Sequence, residues 1–147
     1  MLFGKRKQVV KRILIVEDEP LIAFDNENML GDAGYEIVAT VDDFDEALAI
    51  LETEQVDLIL SDVRLKSQQT GIDLAKAGKQ KGIPTLFATG HAYPGAAEVA
   101  LGCLTKPYNE RQLIGAIECV DRHLQGESFR APKGLELFIA PPAASEG

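Results

Sequence analysis

The sequence predicts a doubly wound α/β domain, because strand-like and helix-like segments alternate five times along it. The strand-like segments are short, apolar and rich in β-branched residues, as in strands that are covered on both faces. Short links between such segments require parallel strands, right-handed crossovers and helices on both faces of the sheet. We therefore expect one domain over residues 11–125, with a basic leader at 1–10 and a tail at 126–147.

The first two strand–helix units have clear boundaries. Strand 1 is predicted over residues 12–16, and Pro20 then suits the first turn of a helix that ends near Gly31. Strand 2 is predicted over residues 35–40. Asp43, with a glutamate three residues later, resembles a capping box and predicts the start of helix 2.

The later units follow the same order, with one irregularity. Strands are predicted over the apolar segments 56–60, 83–88 and 101–105, and helices over 72–81 and from Asn109 to Leu124. The irregular part is residues 92–100. Pro94 and Gly95 leave room there for a short helix at most.

Composition excludes several classes of function. The formal net charge is -8, and the basic residues cluster at the start, which argues against a nucleic-acid surface. No apolar run approaches the length of a membrane helix or of a signal-peptide core. Cys103 and Cys119 have neither metal-ligand spacing nor a disulfide framework, which favours a reducing cytoplasm. The basic leader is read as a solvated tail, with contact to a partner or anionic lipid as the alternative.

Polar residues that suit phosphoryl chemistry follow four of the strands. They are Glu17 and Asp18, Asp62, Thr89, and Lys106. The carboxyl ends of parallel strands meet at one edge, where ligands bind in such sheets. Three carboxylates there would repel one another without a cation, and their hard oxygens favour Mg²⁺. A hydroxyl and an ammonium suit phosphoryl oxygens, so the set predicts acyl-phosphate formation on Asp62. Taken singly, each residue is also explained as a helix cap, a turn residue or a solvated lysine.

With these motifs in place, residues 11–125 resemble the receiver domain of two-component response regulators. The resemblance implies a flavodoxin-like fold with a five-stranded parallel sheet in the order 2-1-3-4-5. It implies that Asp62 accepts a phosphoryl group from a histidine kinase or phosphotransfer protein, with Thr89 as the switch hydroxyl and Lys106 as the phosphate partner. It also implies a cis peptide before Pro107. The implied Mg²⁺ ligands are Asp18, Asp62 and the backbone carbonyl of Arg64, with Glu17 acting through water.

Several positions depart from the receiver pattern. Cys103 stands where most receivers carry an aromatic switch residue, so the coupling of Thr89 to that residue is expected to be altered. Sixteen residues separate Thr89 from Lys106, which predicts a short or unwound helix 4. Lys66 stands where proline is common. Arg64 and His91 occupy places that influence phosphate lifetime in receivers, with surface residues as the alternative reading.

The segment Phe87-Ala88-Thr89-Gly90 resembles the signature of the FAT GUY-like receiver subgroup of alphaproteobacteria. That subgroup often consists of stand-alone proteins in stress or cell-cycle signalling. Tyr93 lies one residue later in this sequence than the tyrosine of the subgroup pattern.

The leading hypothesis is a cytoplasmic single-domain response regulator that switches protein contacts or drains phosphoryl groups. The 22 residues after helix 5 are too few for an output domain. The apolar segment 135–139 is expected to dock on the domain or on a partner, and on the domain Leu135, Leu137 and Phe138 would cover a face formed by strand 5 and helix 5. One alternative is a receiver-like binding module that works without phosphorylation. Another is a phosphatase similar to haloacid dehalogenases, although Arg64 stands where those enzymes carry a second acid.

Overall fold

The computed structural model describes residues 7–65, 70–90, 93, 95–127 and 129–138. The strands of the sheet are β1 Arg12–Val16, β2 Glu36–Val41, β3 Leu58–Ser61, β4 Thr85–Thr89, β5 Gly102–Thr105 and β6 Leu135–Leu137. The helices are α1 Pro20–Asp32, α2 Phe44–Thr53, α3 Gly71–Gln80, α4 Ala96–Val99 and α5 Glu110–Leu124.

The strands form one sheet in the order β2-β1-β3-β4-β5-β6. Its first five strands are parallel, so the predicted fold class and the order 2-1-3-4-5 are confirmed. The expectation of five strands is wrong by one, because β6 joins the sheet antiparallel to β5. The reason is that β5 would otherwise be an edge strand with unpaired backbone groups, and the apolar tail returns along that edge.

Two layers of helices cover the sheet. Helices α1 and α5 pack on one face through Leu30, Leu113 and Ile117, all of which are fully buried. Helices α2 and α3 cover the other face through Leu51 and Leu74. Strands β1, β3 and β4 lie between these layers, which explains why their sequences are nearly continuous apolar runs.

Side-chain caps fix where the helices begin. The Asp43 carboxylate accepts hydrogen bonds from the amides of Asp45 and Glu46 at the start of α2. Capping boxes begin α3 at Thr70 and α5 at Asn109. Helix α4 has four residues, in keeping with the short helix that the spacing predicts. None of the helices in the described ranges is long and apolar enough to cross a membrane.

Candidate functional site

Backbone hydrogen bonds between strand ends hold the carboxylates together. The amide of Asp62 donates to the carbonyl of Val16 (2.9 Å), and the amide of Glu17 donates to that of Val41 (2.9 Å). Gly71, at the start of α3, lies against the backbone of Asp62, because a Cβ on Gly71 would come within 2.2 Å of the Asp62 carbonyl oxygen. The absent side chain lets α3 begin directly against the segment that carries Asp62.

A cluster of four carboxylates lies at this edge. The side chains of Glu17, Asp18, Glu19 and Asp62 each offer an oxygen, and these oxygens all lie within 4.8 Å of one another. Glu17 and Asp62 are buried, with 4% and 8% of their surface exposed. Glu19 was not among the predicted site residues, although its place directly after Glu17 and Asp18 could have indicated it.

Lys106 reaches into the carboxylate cluster from the end of β5. Its Nζ lies 2.8 Å from Glu17 Oε1, 2.9 Å from Asp62 Oδ2 and 3.4 Å from Glu19 Oε2. Its amide donates to the Thr89 carbonyl (2.9 Å), and the peptide bond to Pro107 is cis. The structure therefore brings Glu17, Asp18, Asp62 and Lys106 together.

The pKa values of Glu17 and Lys106 are both raised at the site, for different physical reasons. Burial raises the pKa of Glu17, although hydrogen bonds from Lys106 and the Glu19 amide partly offset it. Burial by itself would lower the pKa of Lys106, but its hydrogen bonds with Glu17 and Asp62 outweigh burial and raise it. Lys106 is therefore a permanent cation between two acceptors at neutral pH.

The carboxylate cluster fits a hard divalent cation. Four acids face one ammonium, so negative charge remains uncompensated even with Lys106 in place. Closely spaced carboxylate oxygens are the donors that Mg²⁺ accepts in proteins. The donor set thus agrees with the predicted cofactor, and Glu19 enlarges the set of candidate ligands.

Thr89 lies at the end of β4, buried and one strand away from Asp62. It lines a cavity of about 400 Å³ together with Cys103, Tyr93 and Phe138. Burial, followed by the nearby charge of Glu136, raises the pKa of the Cys103 thiol, which makes it a poor nucleophile. The position where most receivers carry an aromatic residue is therefore occupied here by a thiol beside a cavity.

Arg64, Lys66 and His91 are the other residues that the sequence analysis singled out near the site. The Arg64 amide donates to Asp62 Oδ1 (3.3 Å) while its side chain is exposed. Lys66 and His91 lie outside the described residues.

Sequence reasoning missed a partly buried hydrogen-bonded pair beside the carboxylate cluster. The Tyr108 hydroxyl donates to Asn26 Oδ1 (2.9 Å), which joins the segment after Pro107 to α1. Asn26 is 1% exposed, and burial raises the pKa of Tyr108 to about 12. The helical phase of Asn26, four residues before the core residue Leu30, was the available signal.

Comparison with known protein families gives one family over most of the chain. The family model described as the response regulator receiver domain matches residues 13–118. A solved CheY-like receiver domain protein from Methanospirillum hungatei JF-1 is 29% identical, with a TM-score of 0.72. That similarity covers 81% of this chain and 99% of the other.

Two curated regulators are also similar. The transcriptional regulatory protein PdtaR of Mycobacterium tuberculosis is 37% identical over 138 residues, which is 90% of this chain and 64% of PdtaR. The phyllosphere-induced regulator PhyR of Methylorubrum extorquens is 37% identical over 84 residues, covering 56% of this chain and 31% of PhyR. The chain thus spans less than two thirds of the length of either regulator.

Proposed function

The chain belongs to the response regulator receiver family, and on that premise we propose that it accepts a phosphoryl group on Asp62 in a Mg²⁺-dependent reaction. The observation that carries the proposal is the position of Lys106 Nζ, within 3 Å of both Glu17 and Asp62 inside the carboxylate cluster. A cation held beside a buried carboxylate can pair with an oxygen of an incoming phosphoryl group.

The transfer makes one bond and breaks one. A carboxylate oxygen of Asp62 attacks phosphorus in line, forming an O–P bond while the P–N bond to the donor histidine breaks and its electron pair returns to that nitrogen. Lys106 then neutralises a phosphoryl oxygen, and the Thr89 hydroxyl hydrogen-bonds another. The chain acts in this step as an acceptor that assists its own modification and its later hydrolysis, rather than as an enzyme on other molecules.

The carboxylate cluster supports the proposed metal site, to which the resemblance to receivers adds the backbone carbonyl of Arg64. Asp18, Asp62 and the backbone carbonyl of Arg64 would hold Mg²⁺, with Glu17 acting through water and Glu19 as a further donor. Bound there, Mg²⁺ supplies the positive charge that lets the crowded carboxylates and the phosphoryl oxygens coexist. The Arg64 side chain and His91 are proposed to affect how long the phosphoryl group survives.

A surface beside the carboxylate cluster suits the phosphoryl donor. On α1, Leu21 and Phe24 are 80% and 62% exposed, although both are large apolar side chains. A cavity of about 490 Å³ along the same helix is lined by Glu19, Asn26, Lys106 and other residues of α1 and the segment after β5. We assign this face to a histidine kinase or phosphotransfer protein, because exposed apolar residues around a reaction site mark contact surfaces.

The proposed role is a signalling switch or a phosphate sink in a bacterial two-component pathway. PdtaR and PhyR are regulators by name, which supports a regulatory role. The Phe-Ala-Thr-Gly segment supports the stand-alone subgroup and, with it, stress signalling.

The test is incubation of the purified chain with MgCl₂ and acetyl phosphate, followed by intact-mass analysis. We expect one phosphoryl adduct on the native chain and on an Asp25→Asn control, and none on Asp62→Asn or without Mg²⁺. Beryllofluoride should shift NMR resonances of Thr89 and Lys106 in the native chain. An unmodified native chain with no spectral change would overturn the proposal and favour a phosphorylation-independent binding module, which the absence of an aromatic at Cys103 would then explain.

A further inference from the structure

The tail strand β6 covers the edge of β5 with a definite register. Its pairs are Gly102 with Leu137, Cys103 with Glu136, and Leu104 with Leu135. The Phe138 amide donates to the Leu101 carbonyl (2.7 Å), and the Thr105 amide donates to that of Gly134 (2.9 Å). The tail thereby satisfies backbone groups that an edge strand would leave unpaired.

Gly102 has no side chain, and this lets β6 approach β5 closely. A Cβ on Gly102 would lie 2.4 Å from the Glu136 carbonyl oxygen and 2.9 Å from a Leu137 methyl group. The three nearest atoms all belong to β6. Any side chain at this position would therefore push a neighbouring strand away, so the close approach depends on glycine.

The tail also fills space beside Thr89. Phe138 packs against the buried cluster that contains Phe87, and it lines the same cavity as Thr89 and Cys103. An aromatic side chain of the tail and Cys103 thus border the same cavity. The edge of β5 and this cavity together form a groove that holds an extended segment with apolar residues at alternate positions and a final aromatic.

The attachment of β6 is slight compared with that of the other strands. It has three residues, Glu136 is exposed, and Leu135, Leu137 and Phe138 are half-buried. Short, half-exposed strands at the edge of a sheet lie at the low end of local stability, so they open most easily.

We propose that β6 occupies a binding site for a strand of a protein target. The site is the groove formed by the β5 edge and the cavity beside Thr89, and it binds an extended segment of that target. The target segment pairs antiparallel with Gly102–Thr105, places apolar side chains at the positions of Leu135 and Leu137, and puts an aromatic ring where Phe138 lies. Main-chain pairing gives such contacts their affinity, and the side-chain pockets give them specificity. The side chains of β6 indicate which types of residue the groove accepts.

The probe is a fluorescein-labelled peptide with the sequence of residues 132–138, titrated into the full chain by fluorescence anisotropy. The native chain should bind it weakly, because its own tail competes. A Leu137→Ser/Phe138→Ser variant, whose tail is detached but whose groove is intact, should bind the peptide at least about tenfold more tightly, as expected when the competent state is no longer occluded. Adding Gly102→Val to that variant should abolish binding. Adding Gly31→Ala instead should leave binding unchanged, because a Cβ on Gly31 would meet nothing within 4 Å.

Equal binding by the native chain and the detached-tail variant, or binding that survives Gly102→Val, would overturn the proposal. If the variants fail to fold, hydrogen exchange on the native chain decides it. Excess peptide should speed exchange of the Phe138 amide while β5 amides stay protected, and no change at Phe138 is the contrary result. A concentration-dependent dimer with a protected Phe138 amide would also contradict the proposal, because the occupant would then be the β6 of a second copy. None of these assays contains Mg²⁺ or a phosphodonor, so their failure leaves the Asp62 proposal intact.

Discussion

Carboxylates have different kinds of partner at the two ends of the sheet. At the amino end, Asp121 Oδ2 accepts the amides of Val9 (2.9 Å) and Val10 (2.8 Å), and Asp57 Oδ2 accepts those of Lys11 (3.0 Å) and Arg12 (2.9 Å). Each acid there ties the segment that leads into β1 to the body of the domain. An acid that is paired with backbone amides in this way is a structural anchor.

At the carboxyl end, four acids crowd together around one ammonium. Two of them, Glu17 and Asp62, are nearly as buried as Asp121, yet they share Lys106 instead of each having its own pair of amides. Such an arrangement costs stability unless further positive charge arrives. Substitutions at the two ends are therefore expected to affect stability and metal binding in different ways.

The largest effect is expected for Lys106→Met. Removal of the ammonium leaves Glu17 and Asp62 buried without their partner, which should lower the free energy of unfolding by about 3–5 kcal/mol in metal-free buffer. Urea denaturation measures the loss, and the exposed Lys76→Met in α3 serves as the control. A loss no greater than that of the control would mean that the carboxylates do not depend on Lys106.

Asp121→Ala tests the amino end. The amides of Val9 and Val10 lose a charged acceptor, so we expect a loss of about 2–3 kcal/mol. Unlike the effect of Lys106→Met, this loss should be the same with and without MgCl₂, because Asp121 is at the opposite end of the sheet. Thermal unfolding in both buffers checks it, with the exposed Asp25→Ala as the control. Rescue of Asp121→Ala by Mg²⁺ would remove the distinction between the two ends.

Tyr108→Phe should cost about 1–2 kcal/mol at neutral pH, because the buried Asn26 loses the hydroxyl donor. The pKa of Tyr108 is raised to about 12 in the folded chain, so folding favours the neutral phenol. Its contribution is therefore complete below the unfolded pKa of about 10 and is lost as the pH rises from there toward 12. The stability gap between native and variant chains should shrink over that range, and a constant gap would contradict the assignment.

The smallest effect on stability, with the opposite sign, is expected for Asp18→Asn. Removing one of the crowded charges should raise stability in metal-free buffer by up to about 1 kcal/mol, since Asp18 is half-exposed and its repulsion is screened. MgCl₂ should raise the melting temperature of the native chain but not that of this variant. Equal shifts for both chains would show that Mg²⁺ binds elsewhere.

Much of the fold and of the candidate site was predictable because its signals are local. Apolar runs marked the strands of the parallel sheet, and Glu17, Asp18, Asp62, Thr89 and Lys106 were recognisable because each follows such a run. Once strands are parallel, their carboxyl ends meet at one edge whatever the details of packing. The pattern of residues along the chain was thus sufficient to establish the fold class and the residues that gather at the edge of the sheet.

Other features depend on contacts between distant parts of the chain and emerged only in the packed structure. The pairing of β6 with β5 depends on an open edge and on the missing side chain of Gly102, neither of which has a local period in the sequence. The hydrogen bond from Tyr108 to Asn26 joins residues 82 positions apart. Local patterns specify which residues form an element, whereas which edges and side chains meet is settled only when the elements pack.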